Sequence, residues 1–91
     1  MDYLKIAALI LAGEQKRSEP FHQGLAAVLQ NRVDQTPVTS PYAQGTADDD
    51  AFFAGRMRGH NEFRNLLKEV RGDHDKAVER LRTFADGRRV A

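Results

Sequence analysis

The amino-acid sequence predicts an all-α fold, a compact bundle of three or four helices, on three observations. Apolar residues recur at helical spacing in four stretches, the breaks between them fall on Pro, Gly and cap-forming residues, and no segment alternates apolar and polar residues as a strand would. A chain of 91 residues is expected to form a single domain over 1–91, and its 41% hydrophobic content argues against disorder. A domain of that size buries only about 60–65% of the surface its unfolded chain exposes, so single core residues weigh heavily in its stability.

The first helix is predicted near 3–17, where Leu4, Ile6, Ala7, Leu9, Ile10 and Leu11 leave only Lys5 and the closing Glu14-Gln15-Lys16-Arg17 cluster clearly polar. Pro20 lacks an N–H and clashes with the turn before it, so the chain restarts with Ser18 as N-cap and Glu19 and Pro20 as N1 and N2. The second helix, 19–34, carries Phe21, Leu25, Val28, Leu29 and Val33 on one stripe; one kinked helix or two separate ones both satisfy this pattern.

Thr36, Pro37, Thr39, Ser40, Pro41 and Gly45 make 35–46 the main loop. Thr46-Ala47-Asp48-Asp49 has capping-box form, and Asp48, Asp49 and Asp50 suit the positive end of a third helix, 47–71. Gly72 stops that helix and Asp73 caps a fourth, 73–86, with Ala77, Val78, Leu81, Phe84 and Ala85 on its apolar stripe and Gly87 as its end. The expected core is Leu9, Phe21, Leu25, Val28, Phe52, Phe63, Leu66, Leu81 and Phe84. Gly55 and Gly59, with Ala51 one turn earlier, give the third helix a smooth face. A mid-helix Gly costs about 1 kcal/mol against Ala, so a tight helix crossing is the expected reason for them.

Several function classes are excluded by composition and motif. The longest apolar run, Ile6–Ala12, is far short of the roughly 20 residues that cross a bilayer, and 30% charged residues agree with that. Asp2 ahead of Lys5, and the charged cluster directly after the apolar run, do not match a secretory signal. There is no Cys for a disulfide or a thiolate site. His22, His60 and His74 lie on different predicted elements without metal-ligand spacing, Asp73-His74-Asp75 reads as a cap beside a solvated histidine, and Asp48-Asp49-Asp50 lacks the ligand pattern of an EF-hand. No cofactor is expected. No phosphate-cradling glycine loop, nucleophile elbow or dinucleotide fingerprint occurs, and no enzymatic activity is expected.

Charge distribution is more informative. Residues 1–54 hold four Lys and Arg against seven acids, whereas residues 55–91 hold ten against six. On the third helix Arg56, His60, Arg64, Lys68 and Arg71 fall within about 120° of arc, a basic strip beside the apolar stripe, with Glu62 and Glu69 on the other side. Phe53 and Met57 point into the same sector. In so small a domain they are expected to cover the first helices, the alternative being an apolar patch for a partner. These seven residues are the candidate partner-binding set, for an acidic protein surface or a phosphate backbone.

The Pro41-Tyr42 pair, the step from Tyr42 to Phe52 and the Gly55 three residues further on resemble the ribosome modulation factor family. Phe52 stands where that family has Trp, Arg56 where a second Trp follows, and this chain is longer. The resemblance implies binding to ribosomal RNA. Pro41 through Arg64 is also similar to small bacteriophage helical proteins with a Pro-Tyr, Gly-Thr, helix arrangement. The expected function is a non-enzymatic helical interaction protein, phage-encoded, docking onto a larger protein assembly such as a virion or packaging component, or onto its own copies, in the host cytoplasm or the virion. An RNA- or ribosome-associated factor and a small inhibitor of a host enzyme are the alternatives.

Overall fold

In a computed structural model, residues 1–86 are described, and among them lie α1 (Tyr3–Leu11), α2 (Glu19–Asp34), α3 (Ala47–Glu69) and α4 (His74–Ala85), with no strand. The helix starts follow the capping logic of the sequence. Thr46 Oγ1 accepts the Asp49 N–H at 3.2 Å, Asp73 Oδ1 accepts the Lys76 N–H at 3.1 Å, and Asp2 Oδ1 accepts the Lys5 N–H at 3.0 Å. Ser18 takes the N-cap position of α2, with Pro20 in the first turn where its missing N–H is not needed.

The helix ends correct two predicted boundaries. α1 stops at Leu11, six residues before the expected end, because Ala12 turns extended and Gly13 adopts φ +86°, after which the Glu14 N–H closes a turn on the Leu11 carbonyl. α1 and α2 are therefore two helices and not one kinked helix. α3 ends at Glu69 in a Schellman turn: Gly72 N–H bonds to Leu67 O at 2.7 Å, Arg71 N–H bonds to Lys68 O at 3.3 Å, and Arg71 itself takes φ +56°. The expected stop at Gly87 lies outside the described residues.

α2 and α3 cross at backbone contact. A Cβ on Gly24 would overlap the Phe52 carbonyl oxygen, one on Gly55 the Phe21 carbonyl oxygen, and one on Gly59 would stand 2.9 Å from Val28 Cβ. The expected reason for Gly55 and Gly59 holds, and Gly24 is the facing small residue on α2. Residue numbers rise together along the pair, from Phe21 against Gly55 to Val28 against Gly59 and Arg32 over the Phe63 ring, so the two helices run in the same direction. The chain must then return the length of α2, about 1.5 Å per residue, before α3 begins, and residues 35–46 cover that distance. That return is pinned by the Tyr42 hydroxyl donating to Gln23 Oε1, by the Tyr42 ring meeting Phe52 edge-on at 6.3 Å, and by Ser40 Oγ donating to Asp49 at 2.8 Å.

α1 and α4 close the core around Ile6, Ala7, Leu11, Leu25, Leu29, Phe63, Ala77 and Leu81. Phe21, Leu25, Val28, Phe52, Phe63 and Leu81 are buried as expected, and Leu66 is half-buried. Leu9 and Phe84 are not in the core: they are 38% and 42% exposed. α1 is apolar nearly all round, but only the side carrying Ile6, Ala7 and Leu11 is buried, so Leu9 is left outside. On α4 the stripe of Ala77, Leu81 and Ala85 turns inward and leaves Phe84 at its edge.

Candidate functional site

Along α3 the seven candidate residues occupy different environments. Phe53 and Met57 are 57% and 48% exposed, which overturns the expectation that they cover the first helices. The physical reason is the tight crossing. Gly55 and Gly59 bring α2 against the opposite side of α3, and α1 meets α2 and α4 instead, so among the described residues no helix covers Phe53 and Met57. Arg64 and Lys68 are exposed, whereas Arg56 and His60 are half-buried. Arg71 is not on the helix at all. Its left-handed backbone in the turn after α3 takes it off the helical wheel that placed it in the strip.

Arg56 holds its guanidinium carbon 5.8 Å from the Phe53 ring centre, and its Nε is buried with no hydrogen-bond partner among the described residues. His60 lies one turn further along. Burial, and then the surrounding Arg32, Arg56 and Arg64 charges, hold its imidazole below the ordinary histidine value. His60 thus joins a cationic surface only at lower pH than a free histidine would, which corrects the simple count of five basic groups.

Arg32 is the residue that sequence reasoning missed. It comes from α2, with its guanidinium 5.4 Å over Phe63, and acts electrostatically on His60. The signal was present: Arg32 follows Val28 by four residues and extends the stripe that faces α3. His74, at the start of α4, packs its ring 5.6 Å from Phe63 and places Nε2 2.8 Å from the Arg32 carbonyl oxygen. It is exposed, as the sequence suggested, and it also joins α4 to the end of α2.

None of Arg32, Arg56, Arg64 and Lys68 takes part in an ion pair among the described residues. The acids of α3 are used elsewhere: Glu62, together with Glu14, holds Arg58 at 2.7 and 2.6 Å, and Glu69 holds Arg80 at 2.9 Å. Those hydrogen bonds, Glu14 first, raise the Arg58 pKa further above its ordinary range, so Arg58 is committed to tying the segment after α1 onto α3. Between α1 and α2 a groove of about 330 Å³ is lined by Tyr3, Leu4, Gln23 and Gln30, and its one carboxylate, Asp2, is engaged in capping α1. The arrangement on α3 is suited to binding: an exposed apolar pair, then cations with no acid paired to them.

The Tyr42, Phe52 and Gly55 positions come together at the α2–α3 crossing, Tyr42 on Phe52 and Gly55 on the Phe21 backbone. Their spacing follows from how the returning loop and the crossing are packed. Comparison with protein families, with curated proteins and with solved structures finds no match for this chain.

Proposed function

We propose that this protein is a non-enzymatic helical interaction protein that docks onto a larger protein assembly through the face of α3 bearing Phe53, Met57, Arg56, His60, Arg64 and Lys68. The observation that carries this reading is the exposed Phe53–Met57 pair bordered by cations that enter no ion pair among the described residues. Aromatic and Met side chains at the centre of an interface, with charged residues at its rim, are the arrangement in which a few anchors supply most of the affinity. Arg71, displaced into the turn after α3, is left out of this face. The likeness of Pro41–Arg64 to small phage helical proteins extends the reading to a virion or packaging component as the assembly, met in the host cytoplasm or the virion.

The test is capture from the native source with the immobilised wild-type chain and with Phe53→Ala, Met57→Ala and Arg64→Ala, each checked for folding by circular dichroism. Losing Phe53 is expected to weaken retention of the captured protein about thirtyfold, the scale of an interface anchor worth about 2 kcal/mol. Arg64→Ala is expected to matter mainly at low salt. Retained nucleic acid whose log affinity falls by about 0.7–0.9 per phosphate contact with log salt, indifferent to Phe53, would replace this reading by RNA binding. Equal retention by every variant would remove the face from consideration.

A further inference from the structure

We infer that Arg32, Arg56, Arg64 and His60 form one recognition site for a carboxylate-rich segment of the partner protein, and that His60 takes up a proton from solvent when that segment docks. The inference rests on the docking function proposed above and assigns the partner's chemistry and a proton linkage to the same face.

Three features carry it. The cluster spans two helices: Arg32 from α2 lies 5.4 Å over the ring of Phe63, one turn along α3 from His60, and Arg56, His60 and Arg64 follow one another at four-residue spacing on α3, so it is built by the crossing and not by one helix's ordinary solvated flank. Arg56 keeps a buried Nε with no partner, and none of the three arginines is neutralised by an acid in an ion pair among the described residues. The groups acting on His60 are also all of one sign: Arg32 from α2, and Arg56 and Arg64 from α3. From α4, His74 is held on the Arg32 carbonyl against Phe63, and no α4 group is among those acting on His60.

Burial first, and then repulsion from the Arg32, Arg56 and Arg64 charges, disfavours the protonated His60 imidazole. Carboxylates arriving over the cluster cancel that repulsion, so the bound form accepts the proton that the free form refuses. A segment of clustered Asp and Glu fits better than an extended polynucleotide. The cations gather around one histidine next to exposed Phe53 and Met57, and Asp48, Asp49 and Asp50 on the first turn of the same helix would repel a phosphate chain continuing along it.

The experiment follows the His60 ring resonances of the full chain by NMR from pH 8 to 5, alone and with a glutamate-rich hexapeptide carrying one leucine, with short oligothymidylate as the second probe. The free chain is expected to show a His60 midpoint below about 6.5, and the peptide is expected to raise it by about one unit, equivalent to about tenfold tighter binding below both midpoints than above them. Arg64→Gln should raise the midpoint of the free chain, and His60→Gln should bind the peptide with that pH dependence gone. The inference is overturned if the peptide leaves the midpoint unmoved, if the pH dependence survives in His60→Gln, or if oligothymidylate binds this face in preference to the peptide. Phe53-dependent capture of a protein with no proton linkage would sink this inference alone. Capture independent of Phe53 would sink the docking function itself.

Discussion

Replacing Gly24 with Ala sets two physical effects against each other with opposite signs. In an ordinary helix interior Ala stabilises by about 1 kcal/mol over Gly, which would raise the melting temperature. Here the added Cβ would run into the Phe52 carbonyl oxygen while lying 2.9 Å from the Phe52 carbonyl carbon and 3.0 Å from the Arg56 nitrogen. All three are backbone atoms of α3, so no rotamer relieves the overlap and the helices must separate. Each 0.5–1 Å of separation forfeits about a quarter to a half of the dispersion well for every contact across the crossing, where Phe21, Leu25, Val28 and Phe52 are buried. Overpacking that moves backbone costs about 3 kcal/mol or more, so the net destabilisation is about 2–3 kcal/mol. For a domain of this size that corresponds to a fall in Tm of about 8–24 °C. Thermal and urea unfolding followed by circular dichroism measures it, with Gly55→Ala behaving alike. Gly59→Ala is expected to fall less, because its nearest contact, Val28 Cβ at 2.9 Å, overlaps the added methyl far less than the carbonyl oxygens at Gly24 and Gly55 do. A Gly24→Ala or Gly55→Ala protein melting at or above the wild-type temperature would refute the backbone crossing.

Phe63 is fully buried beneath Arg32 and His74, and Phe63→Ala is expected to cost about 3–5 kcal/mol; an unchanged urea midpoint would show that the junction of α2, α3 and α4 is misassigned. His60 supplies a pH dependence of stability whose sign follows from its lowered value in the folded state. The unfolded chain binds the proton first as pH falls below about 6.5, so stability should decline through that window and down past the folded midpoint, and His60→Gln should flatten the decline. Equal slopes for the two proteins between pH 7 and 5 would contradict the burial and cationic surroundings assigned to His60.

Much of the secondary structure was legible because its causes are local. Ser18-Glu19-Pro20, Thr46 with Asp49, and Asp73 each mark a helix start by the hydrogen bonds or missing N–H of residues a few positions apart. The expected end of α1 at 17 overlooks Gly13, whose positive φ lets the backbone turn directly after the apolar run and ahead of Glu14-Gln15-Lys16-Arg17. Leu9 and Phe84 show the limit of counting apolar residues: a helix can display more of them than its single contact covers, and which side wins depends on where the neighbouring helices lie.

By itself the sequence determined the all-α class, a bundle of three or four helices with most of their limits, and the presence of a close crossing on the Gly55–Gly59 side of α3. It also placed Phe53, Met57, Arg56, His60 and Arg64 in one sector, because helical geometry alone relates residues on the same rod. Only the tertiary structure decided that α2 and α3 run in the same direction, that Gly24 is the facing small residue, that Phe53 and Met57 remain uncovered, and that Arg32 joins the cluster around His60. Each of these depends on the position of one helix relative to another. The helical period fixes no such position, whereas the carbonyl-to-glycine contacts of the α2–α3 crossing do.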